Sequence, residues 1–462
     1  MLIADGLLVN ENGTRKADVR VEGELIHEIG DSLVPRENER IINAAGKIII
    51  PGGVDVHTHM DLDLGHIKAA DDFYTGTAAA AFGGTTTIVD HMAFGPKGCS
   101  ISHQAGAYHR LAHGNAVIDY GFHGVMGHVD DGILDELGTL INEGITSHKF
   151  YLTYDGKISD GEILRLMERA SELGVMLAAH AENDGSIAYL REKYRSQGKT
   201  APIYHARSRP PECEAEAVSR VAWLARMAGG APLYIVHLSS GLALDCALAA
   251  RKRGQKNLFI ETCPQYLLLD ESLYCREDGL KYIMNPPLRA AENRNALWEG
   301  VRNGDIDVIG TDHCPFFYAK EKQLGKGDFT NAPGGAPGVE ARIPLMLAEV
   351  SAGRLTLERL VSLCCASPAR LFGMYPKKGV IAAGSDADLV LIDPTVKTKL
   401  THSMLHENCD YTPYEGLPLD GYPVMTISRG EVIVEGKRFT GRKGRGRFLK
   451  RGLPDLNDNV TG

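Results

Sequence analysis

The middle of the chain alternates between short apolar runs and longer stretches whose apolar residues recur every three or four positions. The runs end near His57, Asp90, His123, Lys149, His180, His237, Thr262 and Asp312, eight in all. Runs such as VMLAAH and PLYIVH are continuously apolar, as strands buried on both faces must be. The intervening EILRLMERASELG and EAEAVSRVAWLARMAG carry the helical period. Eight strand-then-helix units over about 250 residues predict an α/β fold of the (β/α)8 barrel type. A doubly wound open sheet fits the same alternation, and periodicity alone leaves both standing.

The two ends of the chain have a different pattern. Gly6–Val9, Ala17–Val21 and Leu25–Ile29 are short, β-rich and separated by Asn, Gly and Glu. The same pattern returns after Gly379 in VIAAGSDADLVLID and TISRGEVIVEGKRF. The ends are expected to pair into one small β-sandwich domain. Its first part would be residues 1–50 and its second part, with a C-terminal tail, residues 378–462. The barrel would occupy residues 51–377.

Composition narrows the function classes. Of 462 residues, 44% are hydrophobic and 24% charged, the mixture of an ordinary folded chain. A net charge of −9 and a pI near 6.0 argue against a nucleic-acid partner. The basic tail around Arg442, Lys443, Arg445, Arg447, Lys450 and Arg451 is expected to be solvated or to pack against a subunit. The nine Cys are scattered, with no CxxC pair, which is the pattern of reduced thiols. No apolar run approaches the ~20 residues that span a membrane. The N-terminus has no charged-then-apolar signal layout, so a cytoplasmic location is expected.

The chemistry lies at the ends of the runs. In GVDVHTH, His57 and His59 are two apart in a strand and leave it on the same face. Taken singly, each candidate has an ordinary reading. An HxH can be two polar residues at a strand exit, most lysines lie on the surface, and a lone buried His is usually a satisfied core residue. Asp312 follows an apolar run, and a buried carboxylate needs a partner such as a cation. Four His, one Lys and one Asp converging at one barrel rim are better explained by a single binuclear site. Two divalent ions would leave such a cluster strongly positive even with a bridging hydroxide, so a cationic Lys149 is untenable there. A neutral amine binds one metal; an amine that has captured CO2 offers two carbamate oxygens and bridges ions ~3.5–4 Å apart. Cys263 and Cys314 also fall near run ends but lack zinc-site spacing and read as buried structural thiols. His91, His123, His313 and Glu182 read as orienting or packing groups.

The segments GVDVHTH, HKFYLTY, AAHAEND, YIVHLS, ETCPQYL, TDHCPF and DYTPYEG, in this order, resemble the D-hydantoinase and dihydropyrimidinase family of cyclic amidohydrolases. The likeness covers essentially the whole chain and is greatest to the bacterial phenylhydantoinase branch. It implies a barrel with a small β-sandwich domain, commonly assembled as a homotetramer. It also implies two metal ions, usually zinc, at His57, His59, carbamylated Lys149, His180, His237 and Asp312. Tyr154 matches the oxyanion tyrosine of that family, and Asp312 its proton carrier. Two main-chain substrate contacts fall in segments that depart from the family pattern. Asn285 stands where SPPLR has Ser, and Gly334 where PNGxPGVE has Asn. The implied activity is opening of 5-substituted hydantoins, small cyclic amides, to N-carbamoyl amino acids. The alternatives are dihydropyrimidinase and, further off, allantoinase, a mononuclear zinc deaminase, or a non-catalytic relative.

Overall fold

The computed structural model describes residues 1–456. Eight parallel strands form one sheet, each hydrogen-bonded to its sequence neighbour. They are β1 (Gly53–Thr58), β2 (Thr85–His91), β3 (Asp119–Val125), β4 (Ser147–Tyr151), β5 (Met176–His180), β6 (Leu233–Ile235), β7 (Leu258–Thr262) and β8 (Val308–Ile309). A parallel bridge from Thr58 to His313 joins the exit of β8 back to β1 and closes the barrel. The closed barrel, not the open sheet, is therefore the solution the alternation takes. β6 and β8 are shorter than their apolar runs suggest. His237 and Asp312 lie beyond the regular strands, in the turns that follow, with φ of +40° and +53°.

The helices follow local rules. EILRLMERASELG lies within the helix Asp160–Leu173. Ser159 and Glu162 close its N-terminus as a capping box, and Gly174 ends it in the left-handed conformation. Its Ile163, Leu166, Met167 and Ala170 are buried against the barrel. The next long helix, Pro211–Met227, opens on a proline with Glu212 and Glu214 in its first turn.

The chain ends pair as expected, into a nine-stranded mixed sheet. The strand Ile48–Pro51 joins the two ends. It lies parallel to Leu2–Asn10 on one side and antiparallel to Leu389–Lys399 on the other. Ile3, Val19, Ile49, Leu389 and Ile427 form part of a separate apolar core there.

In the basic tail Arg442, Lys443, Arg447 and Lys450 are exposed, whereas two other arginines turn inward. Arg445 and Arg451 are buried, and Arg451 donates to the Phe122 carbonyl (2.5 Å) and Ser147 Oγ (2.9 Å). Arg447 pairs with Glu24. Among the described residues, no helix is long and apolar enough to cross a membrane.

Candidate metal centre and active site

The exits of β1, β4 and β5 and the turns after β6 and β8 bring His57, His59, Lys149, His180, His237 and Asp312 to one rim. Lys149 Nζ is 2.9 Å from His57 Nε2. Asp312 Oδ1 is 3.2 Å from both His57 Nε2 and His59 Nε2. His237 Nε2 is 2.8 Å from His180 Nδ1. The ligand atoms of His57, His237 and Asp312 lie within 4.8 Å of one another, and so do those of His57, His59 and His91.

Two buried carboxylates orient these imidazoles. Glu261 takes His57 Nδ1 at 2.6 Å, the Tyr234 hydroxyl at 2.9 Å and the His237 backbone N–H at 2.8 Å. Glu182 takes His180 Nε2 at 2.9 Å and Arg209 at 2.5 Å. Burial alone would raise the Glu182 carboxyl, but Arg209 and His180 outweigh it and hold it down at about 2. Glu182 is thus an ionised anchor whose Oε2 is already taken by His180 and Arg209. With Nδ1–H of His57 and Nε2–H of His180 committed to carboxylates, the opposite nitrogens face the site as lone pairs. His237 Nδ1 is buried without a partner. Imidazole lone pairs crowded against one another and against a carboxylate require cations between them, so the donor set fits divalent metal ions.

Lys149 is 1% exposed. Burial pushes its ammonium below the usual lysine range, although Asp312 and Glu261 act the other way. Asp312 is held well below the usual carboxylate range; burial opposes this, and the facing imidazoles His57 and His59 win. Burial raises the Tyr154 hydroxyl, which therefore stays protonated as a donor. Tyr154 sits at φ +71° with its hydroxyl 3.4 Å from His180 Nε2, a strained placement for a bulky residue.

Several groups were invisible in the sequence or read differently there. Glu261 was missed; its signal was a carboxylate ending the apolar run LFIET. His91, read as an orienting group, has both ring nitrogens buried without partners and stacks on His59 and His123. His123 is spent on Ser147 and the Val56 carbonyl, and His313 on Asp71 and the backbone N–H groups of Gly338 and Val339. Cys263 and Cys314 are buried thiols raised by burial, and neither belongs to a ligand cluster.

Behind the rim, buried Lys322 donates to three carbonyls: Ile283 (2.6 Å), Pro333 (2.8 Å) and Gly335 (2.6 Å). It thereby ties the segment carrying Asn285 to the one carrying Gly334. Lys322→Met would strip this donor from the Pro333 and Gly335 carbonyls, at about 1–3 kcal/mol for each left unpaired, while the Ile283 carbonyl keeps the Gly335 backbone N–H. The expected result is a Tm lowered by several degrees and a raised KM, read by calorimetry and steady-state kinetics. An unchanged KM would show that the two segments hold their places without this tie.

Fold and donor set together define a closed parallel barrel with a histidine- and carboxylate-rich centre at the C-terminal ends of its strands. The amidohydrolase family model matches residues 48–433, and the chain belongs to that family. D-phenylhydantoinases of Escherichia coli O1:K1 / APEC and of strain K12 / DH10B are each 50% identical over 452 residues, covering 98% of both chains. The structure of dihydropyrimidinase from Brevibacillus agri NCHU1002 superposes with a TM-score of 0.96 at 41% identity, covering 98% of this chain and 99% of that one. D-hydantoinase from Bacillus sp. AR9 gives a TM-score of 0.95 at 43% identity with the same coverage.

Proposed function

We propose that this chain opens 5-substituted hydantoins to N-carbamoyl amino acids, as a cyclic amidohydrolase of the D-phenylhydantoinase kind. The observation that carries the reading is a buried lysine amine, 2.9 Å from His57 Nε2, set among inward-facing imidazole lone pairs. In it, His57, His59, Lys149, His180, His237 and Asp312 hold two divalent ions, zinc by preference for imidazole and carboxylate. Lys149 serves as a carbamate, since a neutral amine adds to CO2 with loss of one proton and gains two oxygens. Bound ions supply Lewis acidity and a water that ionises near neutral pH.

The protein's own groups do the rest. Asp312 accepts the proton of the attacking water and returns it to the leaving ring nitrogen. Tyr154 donates to the oxygen of the carbonyl under attack as it becomes negative. Glu261 and Glu182 keep the imidazoles turned inward. A cytoplasmic homotetramer completes the reading. Nine free thiols support the compartment, and Trp223 and Met227, exposed one turn apart, offer an apolar surface to a second copy.

Met60, Leu62 and Leu64 of MDLDLGHIK, with Phe150 and Tyr151 after Lys149, are the sequence's candidates for an apolar pocket wall. Met60 is fully buried against the helix Phe73–Phe82, and Phe150 points into the core on the opposite face from Lys149. Tyr151 instead faces the site, its ring 5.3 Å from Lys149 Nζ, 5.3 Å from Phe94 and 5.9 Å from Tyr154. This aromatic surface suits an aryl group on the ring carbon, at ~25 cal/mol per Å² buried. Allantoin carries a polar ureido group there, and each unpaired polar group costs ~1–3 kcal/mol. We expect kcat/KM for 5-phenylhydantoin to exceed that for allantoin by roughly 10- to 100-fold. Allantoin as the better substrate in steady-state assays would overturn this specificity.

A further inference from the structure

We propose that Tyr414, from the β-sandwich part of the chain, positions the Asp312 carboxylate by way of Gln265 and the Thr311 carbonyl. The proposal rests on the function given above, in which Asp312 carries the proton, and adds two positioning residues to it.

Asp312 has a φ of +53°, a conformation that a residue with a side chain keeps only where its surroundings fix it. Both peptide groups flanking it are pinned. The Asp312–His313 group donates its N–H to Thr311 Oγ1 at 3.2 Å, and that hydroxyl is tied in turn to Asp55 Oδ2 at 2.7 Å. These partners belong to the barrel itself. The Thr311–Asp312 group is pinned on its carbonyl, by Gln265 Nε2 at 3.2 Å, and no other donor reaches that oxygen among the described residues. A peptide group is planar, so holding the Thr311 carbonyl also holds the Asp312 N–Cα bond about which φ turns. With both planes set, Asp312 Oδ1 falls 3.2 Å from His57 Nε2 and 3.2 Å from His59 Nε2.

The chain of donors runs one way. The Thr311 carbonyl can only accept, so the Gln265 amide turns its nitrogen there. Its oxygen then faces Tyr414, whose hydroxyl donates to it at 2.9 Å. Thr311, Gln265 and Tyr414 are all buried. A buried amide oxygen left unpaired is costly, so the tyrosine locks the amide in this orientation. Gln265 lies in the short helix Pro264–Leu268 that follows β7. Tyr414 lies 149 positions away, between the strands Leu389–Lys399 and Pro418–Ser428 of the mixed sheet. The motifs ETCPQYL and DYTPYEG thus meet at one contact, and through it the sandwich bears on the proton carrier.

The test uses the metal-loaded full-length protein. Tyr414→Phe keeps the ring beside Gly338 and removes only the hydroxyl. Gln265→Met keeps the length of the side chain and removes the donor to Thr311. Gln265→Met is expected to lower kcat for 5-phenylhydantoin roughly tenfold and Tyr414→Phe roughly threefold, with KM within about twofold. Metal content by elemental analysis should match wild type, because neither side chain is a proposed ligand. The double variant should be no slower than Gln265→Met, since the two residues act in series. In the Asp312→Asn background neither substitution should lower kcat further, because the carboxylate they place is gone; a merely structural contact would cost the same factor in both backgrounds. A wild-type kcat in either single variant, or losses that multiply with that of Asp312→Asn, would overturn the proposal. Where Gln265→Met does not fold, Tyr414→Phe carries the same cycle. A wild-type protein inactive on hydantoin, 5-phenylhydantoin and dihydrouracil would instead overturn the proposed function. The visible absorption of the cobalt-loaded protein then reads the placement of Asp312 without turnover: a shifted spectrum in both variants supports the positioning, and an unchanged one overturns it.

Discussion

Lys149→Ala is expected to remove both metal content and hydrolysis of 5-phenylhydantoin. Lys149 is 1% exposed with its Nζ 2.9 Å from His57 Nε2, so alanine leaves a buried gap and no bridging anion. The remaining side-chain anion at the rim is Asp312, because Glu261 and Glu182 are engaged behind the imidazoles. One carboxylate cannot hold two divalent ions side by side against their mutual repulsion. Losing a term worth several kcal/mol corresponds to roughly a thousandfold or more in rate. Acetate or propionate should partly restore the rate by entering the gap as a substitute anion. Elemental analysis and kcat, each measured with and without the acid, test this. Full metal content and a normal rate in the unrescued variant would sink the carbamate reading.

Asp312→Asn should preserve the fold and lose the reaction. Asp312 lies at φ +53°, where Asn is tolerated about as readily as Asp, so the turn after β8 has no steric reason to change. The substitution keeps the shape but removes the charge that faces His57 and His59, and with it the proton acceptor. General acid–base groups contribute roughly 10²–10⁴-fold, and a weakened metal contact adds to that. The expected signature is a kcat lowered by at least about a hundredfold with an unchanged circular dichroism spectrum. A kcat within a few-fold of wild type would take Asp312 out of proton transfer.

The candidate ligands were legible in the sequence because each is announced locally. His57 and His59 share a strand face by period, while Lys149 and His180 fall at the ends of apolar runs that only a buried strand can carry. The eight strand-then-helix units were legible for the same reason, but their closure into a barrel rather than an open sheet was decided by the bridge from Thr58 to His313. The pairing of the chain ends followed from matching β-rich patterns. Nearness to the rim in sequence is a poorer guide to the pocket, since Met60 packs against the helix Phe73–Phe82 and Phe150 alternates to the face opposite Lys149.

What the sequence by itself determined is therefore the set of strands, their order and the residue types delivered to the rim. The tertiary structure alone decided which groups hold those residues in place. Glu261 meets His57 across 204 positions, Arg209 neutralises Glu182 across 27, and Arg451 returns from the tail to the Phe122 carbonyl across 329. Asn285 and Gly334, 49 positions apart by number, read as two unrelated departures until the fold laid one against the other. The physical reason is that backbone periodicity is written into neighbouring residues. Partners for buried charges and donors are chosen by the closure of the barrel, which brings distant strand exits within hydrogen-bonding distance.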